Sequence, residues 1–480
     1  MPWSNIPNEV IHCILVLAVR TRGFKRATRL RLVSRTWNIA VEHAIFDSGM
    51  LDEDGLITQA FSRDVDLVFW QRYLAYRALH NIKRMSLRLA LIRRVAEYIV
   101  DMRGWGADES QRKKNLAECV SDICHATIVF RGVDGHPDSY LVPEEDPITT
   151  VDRDGASFQR ALMAAIAYTN DLELARQLLS PRSTDTTPKI AGCSFNLANT
   201  LLHINRGERG RLPALPFDPY CAAAYKGNVA FISHLLENES MINKSRDHRA
   251  AIIYNAAWGN QMEPLEFALG SSFHSDSPDF ATLQDSLVTS LGRTTSIDIF
   301  RRCYELVKDH LQHPCRASDA AYRQKWLSAR FDGAAQRGAV ALMEYIAQLG
   351  ASVNGRFSDN EDEFSSPISL AALNGHEEAV KWLLSKGAAL DHSLHAAVMH
   401  GSCSIVQLLL EHGAIHDHNT VQRSLVETIK TENEALFRLL VVHGARLDQS
   451  TMEKTTQIAE KERLDSMGKL LEEHLNTRVA

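Results

Sequence analysis

The chain opens with SNIPNEVIHCILVLAV at residues 4–19. Val10, Ile14 and Leu17 recur at helical spacing, with Ile11, Leu15 and Ala18 beside them, which predicts a helix with a wide apolar stripe. Pro7 suits the first turn, Asn5 a cap, and Glu9 the positive end of the helix dipole. A second segment, 27–46, keeps the same period through Leu30, Val33, Trp37 and Val41, with Arg29, Arg31 and Arg35 interleaved. Two short helices within about 45 residues cannot bury all of this apolar surface alone. They need the rest of the chain, or a partner, to cover it. Residues 56–103 read as further helix, through Leu67, Trp70 and Leu74, then Leu87, Leu91, Val95 and Ile99.

Beyond a Pro-, Gly- and Asp-rich stretch at 132–155 the pattern repeats itself. SPISLAALNGHEEAVKWLLSKGAALD begins at residue 366, and SLHAAVMHGSCSIVQLLLEHGAIHD (393–417) and FDGAAQRGAVALMEYIAQLGASVN (331–354) follow the same plan. Residues 424–448 are a weaker copy that lacks the middle glycine. Upstream, 218–238 and 253–269 keep an Ala-Ala-x-x-Gly core, 158–180 reads as a first member, and 283–307 is degenerate. Residues 456–475 read as a closing cap. The residue types fit stacked helix pairs: small Ala371 and Ala372 where pairs touch, Gly375 in the turn, Leu383 and Leu384 in the shared core, and Gly387 ending the second helix. The Gly-Ala pairs fall at 350, 387, 413 and 444, an uneven spacing around the usual repeat of about 33 residues. Long connections at 181–217 and 270–282, and an insertion at 356–366, add to the unevenness.

These strings resemble ankyrin repeats, whose hallmark is Thr-Pro-Leu-His-x-Ala-Ala-x-x-Gly-His followed by Leu-Leu-x-x-Gly-Ala. The N-terminal pattern Ile6-Pro7-x-Glu9-Val10, then Ile14-Leu15, then Leu30-x-Leu32-Val33-Ser34-x-x-Trp37 resembles an F-box. The F-box resemblance implies a compact helical unit that docks on the SKP adaptor of cullin–RING ubiquitin ligases. It assigns Ile6, Pro7, Val10, Ile14, Leu15, Leu30, Leu32, Val33 and Trp37 to that unit's core and its adaptor contacts. Ile6 stands where the family has Leu, and the connection from Arg20 to Thr28 is basic.

The 480 residues, 45% hydrophobic, suffice for several cores. The net charge of −6 excludes a global field directed at nucleic acid, although basic residues outnumber acidic ones in the first hundred. Eight irregularly spaced cysteines predict reduced thiols and an intracellular protein, cytoplasmic or nuclear. The opening apolar run has no basic leader and no small-residue cleavage site, and no stretch of 18 apolar residues occurs, so neither an export signal nor a membrane span is expected.

Catalytic motifs for phosphate loops, nucleophile elbows or zinc helices are missing from the sequence. Cys119, Cys124 and His125 form one short cluster without a second pair, and read as ordinary helix residues. His392, His395, His400, His412, His416 and His418 fall on repeat positions and read as structural. Cys13, Cys221 and Cys403 are expected in the core, and Lys83, Arg84, Arg88, Arg93 and Arg94 on a solvated face, as is the acidic run 359–363.

The expectation is therefore an all-α chain with no cofactor and no catalytic activity. It divides into an F-box-like unit at 1–50, a helical connector at 51–155, degenerate repeats at 156–310, and clearer repeats with a cap at 325–480. Its function would be that of a ligase adaptor that brings an unidentified protein target to the SKP–cullin machinery. A plain ankyrin scaffold or regulator, with the N-terminal helices serving only as a cap, is the alternative.

Overall fold

The computed structural model describes residues 6–22, 27, 35–52, 67–80, 87–105, 108–130, 156–179, 219–240, 248–270, 287–308, 319–355 and 366–479. Leu30, Leu32, Val33, the basic Lys83 and Arg84, the stretch 132–155 and the acidic run 359–363 lie outside them. Among the described residues every regular element is helical. The chain forms two units, one of Met1–Arg20 with Glu42–Ser290, the other of Thr21–Val41 with Leu291–Ala480.

In the first unit, α1 (Asn8–Arg22) and the end of α2 (Arg35–Asp47) precede three longer helices: α3 (Leu67–His80), α4 (Leu87–Met102) and α5 (Glu109–Val129). These three pack on one another through the predicted periodic residues; Trp70, Leu74, Leu91, Val95 and Ile99 are all buried. Arg93, expected on a solvated face, is instead half-buried. It pairs with Glu97 at 2.9 Å and lies within 3.5 Å of the Ala78 and Leu79 carbonyls, which satisfies the C-terminal end of α3.

Three helix pairs follow: α6 (Ala156–Tyr168) with α7 (Leu172–Leu179), α8 (Pro219–Lys226) with α9 (Val229–Ser240), and α10 (Arg249–Trp258) with α11 (Met262–Leu269). The first helices stack in one row, α6 on α8 on α10, and the second helices in another. α4 and α5 close the α6 end of the stack, tied to it by an ion pair of 2.5 Å between Arg103 and Asp171. Small residues permit the close row: Ala164, Ala165, Ala222, Ala223, Ala256 and Ala257 are fully buried.

The second unit repeats the plan. α13 (Asp319–Gln336), α15 (Pro367–Leu373), α17 (Ser393–His400), α19 (His418–Lys430) and α21 (Gln449–Lys461) make the inner row. α12 (Ile297–Val307), α14 (Val340–Gln348), α16 (Glu377–Ser385), α18 (Cys403–Glu411) and α20 (Glu434–Val442) make the outer row. α22 (Asp465–Val479) packs on α21 and buries Met467, Leu470 and Leu471.

Each inner helix ends in the same way. The residue after the turn donates its amide to a carbonyl five residues back: Asn228 to Ala223 at 2.8 Å, Gln261 to Ala256 at 2.8 Å, His376 to Ala371 at 3.0 Å, Asn433 to Thr428 at 2.8 Å. This closure needs one left-handed residue. Gly227, Gly338, Gly375 and Gly401 supply it where the repeat has its glycine. Asn170, Asn260, Glu432 and Arg463 adopt the same positive φ where it does not. Leu383 is fully buried, whereas Leu384, expected beside it in the core, is only half-buried, because the outer helix turns that position toward its edge.

Candidate partner-binding surfaces

α1 is apolar on more than one side, and packing decides which side is used. Leu15 and Val19, one turn apart, are 2% and 0% exposed. Val10, Ile14 and Leu17 form the other stripe and are 47%, 40% and 63% exposed. Cys13 lies among them and is exposed, contrary to its expected place in the core; Cys403 is also exposed, because it occupies the first helical position after the Ser402 cap. Helix α1 begins at Asn8 rather than at Pro7, whose carbonyl instead accepts from the amides of Val10 and Ile11 at 3.0 and 3.1 Å.

Polar contacts hold α1 in place. His12 Nε2 lies 2.7 Å from an Asp47 carboxylate oxygen. Arg20 donates twice to the Ser48 carbonyl, from Nε at 2.9 Å and Nη2 at 2.6 Å. Asp47 also accepts from the Tyr76 hydroxyl, so one carboxylate joins α1, α2 and α3. Burial, then Asp47, raises the Tyr76 pKa well above the ordinary phenol value, which keeps the donor protonated. Phe46 packs on Phe69 and Tyr73 with ring centroids 5.4 and 5.3 Å apart. A fixed helix thus presents a row of large apolar side chains to solvent.

Of the residues assigned to this surface by sequence, Pro7, Val10 and Ile14 are exposed, Ile6 and Trp37 half-buried and Leu15 buried. Leu30, Leu32 and Val33 lie outside the described residues. Leu17 and Ile39, the latter 62% exposed, were not assigned. The 10–14–17 period carried the signal for Leu17; Ile39 sits off the Leu30–Val33–Trp37 stripe and gave none.

On the array, polar side chains reach main-chain carbonyls both back in the preceding helix pair and forward in the segment that leads to the next one. Asn228 Nδ2 donates to the Ala167 carbonyl at 3.1 Å, and His376 Nε2 meets the Gln336 carbonyl at 3.0 Å. Ser369 donates to the Asp391 carbonyl at 2.9 Å, and Gln422 to that of Arg446 at 2.7 Å. His395 is buried and His412 lies 2.8 Å from the Leu408 carbonyl, in agreement with structural roles. His125 Nδ1 is 2.5 Å from the Tyr168 hydroxyl, and burial pushes the Cys119 thiol up to about 12. Cys124 is buried on the same helix. Among the described residues no three His, Cys, Asp or Glu side chains gather as a metal site would require. None of the described helices is long and apolar enough to cross a membrane.

Stacked two-helix repeats with a shared core define a class of proteins that act by binding others. The model for the family described as ankyrin repeats (3 copies) matches residues 331–422, the stretch from within α13 into α19. This part of the chain is an ankyrin array and a protein-interaction scaffold. The match covers none of the N-terminal helices. A comparison with the curated proteins finds no match.

Proposed function

We propose that the chain is a non-catalytic, intracellular adaptor that joins a protein target held on its repeats to the SKP adaptor of a cullin–RING ubiquitin ligase. The observation that carries this reading is the exposed row Val10, Ile14 and Leu17 on an anchored α1, within the segment that resembles an F-box. Exposed apolar side chains scattered singly are ordinary; a row on one rigid helix is the form that a groove on a partner recognises. The reading treats 1–50 as the docking unit and 51–155 as a connector. It extends the ankyrin array beyond 331–422 to the degenerate repeats at 156–310 and to the cap before residue 480. Holding the target beside the ligase raises its effective concentration without chemistry by this chain.

Packing of α4 and α5 on α6 favours a second reading, in which the N-terminal helices cap a general ankyrin scaffold. Co-purification of the full chain with an SKP adaptor separates the two. The parent is expected to bind and an Ile14→Asp/Leu17→Asp variant to lose binding with an unchanged circular dichroism spectrum. Those positions are exposed, so the substitutions leave the core alone. A folded parent that fails to bind overturns the ligase reading and leaves the scaffold.

A further inference from the structure

The end of α4 fixes a tryptophan at the surface. Gly104 takes φ 65° after the last turn. Its amide then meets the Asp101 carbonyl at 3.1 Å, and the Trp105 amide meets that of Val100 at 3.3 Å. A helix closed in this way commonly packs the next apolar side chain against its own last turn. Trp105 instead stays 39% exposed, the only exposed aromatic residue among the described ones. It is held all the same. The Arg103 guanidinium lies 4.2 Å from the centre of its ring, and Arg103 is itself pinned by Asp171.

Gly104 and Trp105 line a cavity of about 400 Å³, whose other described lining residues are Asp108, Gln111 and Asn115. Asp108 caps α5 by accepting from the Ser110 amide at 3.2 Å, and Gln111 and Asn115 stand one turn apart on that helix. Gln111 Nε2 donates to Asn115 Oδ1 at 2.9 Å, which leaves the Gln111 carbonyl as an acceptor beside the Asn115 amide as a donor. Reversing both amides exchanges the roles and leaves the same couple. No cation lines the cavity among the described residues, and Arg112, next to Gln111 in sequence, is paired with Asp101 at 2.7 Å. An anion therefore finds no counter-charge there. A neutral ligand with an apolar face, a donor and an acceptor is matched.

We propose that this cavity, between the end of α4 and the start of α5, takes an extended, uncharged, proline-bearing segment of another protein. A polyproline II segment leaves its peptide groups without internal hydrogen bonds, and its prolines dock on aromatic side chains. Proline packs on Trp105, and one peptide group pairs with the Gln111–Asn115 couple. Asp108 to Asn115 spans about 10 Å along α5 at the helical rise, the length of roughly three residues of such a segment. The ring is already held by Arg103, so little ordering remains to oppose binding. The site needs nothing of α1 and stands apart from the ligase reading; it gives the helices at 51–155 a recognition role of their own.

Fluorine-19 NMR of the full chain, with its seven tryptophans replaced by fluorotryptophan and the Trp105 signal assigned from Trp105→Phe, tests it. The probe is a capped peptide of Pro-Pro-Ala repeats. A saturable shift of the Trp105 signal is expected. Gln111→Ala/Asn115→Ala should weaken binding by about tenfold or more with an unchanged circular dichroism spectrum, and so should glycine in place of each proline of the probe. Maltose, whose hydroxyls could pair with the same amides, should leave the signal in place. No saturable shift in the folded parent, a shift that the double variant or the glycine peptide retains in full, or an equal response to maltose overturns the proposal.

Discussion

The imidazole of His376 lies 3.0 Å from the main-chain oxygen of Gln336, one repeat back in the stack. Burial, reinforced by His400, holds the His376 pKa below the ordinary histidine value, although the carbonyl bond offsets part of this. His125, half-buried near Lys226, is depressed as well, first by burial and then by that charge.

The sign follows from linkage. With folded-state pKa values below the ordinary value of about 6.5, the unfolded chain binds these protons first. Their stabilisation is full above that pH and is lost as pH falls below it. Urea midpoints taken from pH 7.5 to 5.5 should therefore decline. His376→Asn, which copies the Asn228 contact in the other unit, should flatten the decline; an unchanged slope would count against the assignment.

Arg463 adopts φ 55° in the last hairpin, where other repeats place glycine. An L-residue held there costs roughly 1–2 kcal/mol, and glycine gives part of that back as unfolded-state entropy. Arg463→Gly should stabilise the chain by about 0.5 kcal/mol. Gly444→Ala is the mirror case. At φ 96° with open space around it, it should destabilise by about 1 kcal/mol through backbone strain alone, and thermal unfolding measures both.

Gly259 is needed for a different reason. Its φ is −77°, which any residue tolerates, but an added Cβ would fall 2.0 Å from the Tyr225 carbonyl oxygen. Gly259→Ala should cost about 3 kcal/mol in chemical denaturation, because one helix of the inner row would have to move off the next.

Leu15 and Leu17 test the two sides of α1. Leu15→Ala removes a buried side chain and should cost about 3 kcal/mol, while Leu17→Ala should stay within about 0.5 kcal/mol. Equal losses would mean that Leu17 is covered by this chain rather than presented to a partner.

Among the described cysteines, native-state alkylation followed by peptide mapping should label Cys13 and Cys403 first. Cys119, Cys124 and Cys303 are buried, and burial raises the Cys119 and Cys124 thiols, so they should react only as the chain unfolds.

Much of the fold was legible because helices and stacked pairs depend on local regularities. Ala371, Ala372 and Gly375 name a contact and a turn whatever surrounds them, and the inner-row alanines are buried as their size requires. The approach of Arg337 Nη2 to the Thr294 carbonyl was not legible, since the two lie 43 residues apart and only stacking brings them together. The tie between Arg103 and Asp171 is of the same kind, two charges far apart in sequence that meet where α4 abuts the first pair.

The sequence by itself determined the helical periods, the repeat with its small contact residues, and the glycine turns, because each rests on the intrinsic geometry of a few neighbouring residues. The tertiary structure decided the rest. It turned Leu15 inward and Val10, Ile14 and Leu17 outward on a helix apolar on both sides, a choice that only the packing around α1 can make. It also forced Glu432 and Arg463 into the left-handed turn that their own chemistry disfavours, since the stack fixes where each inner helix must end.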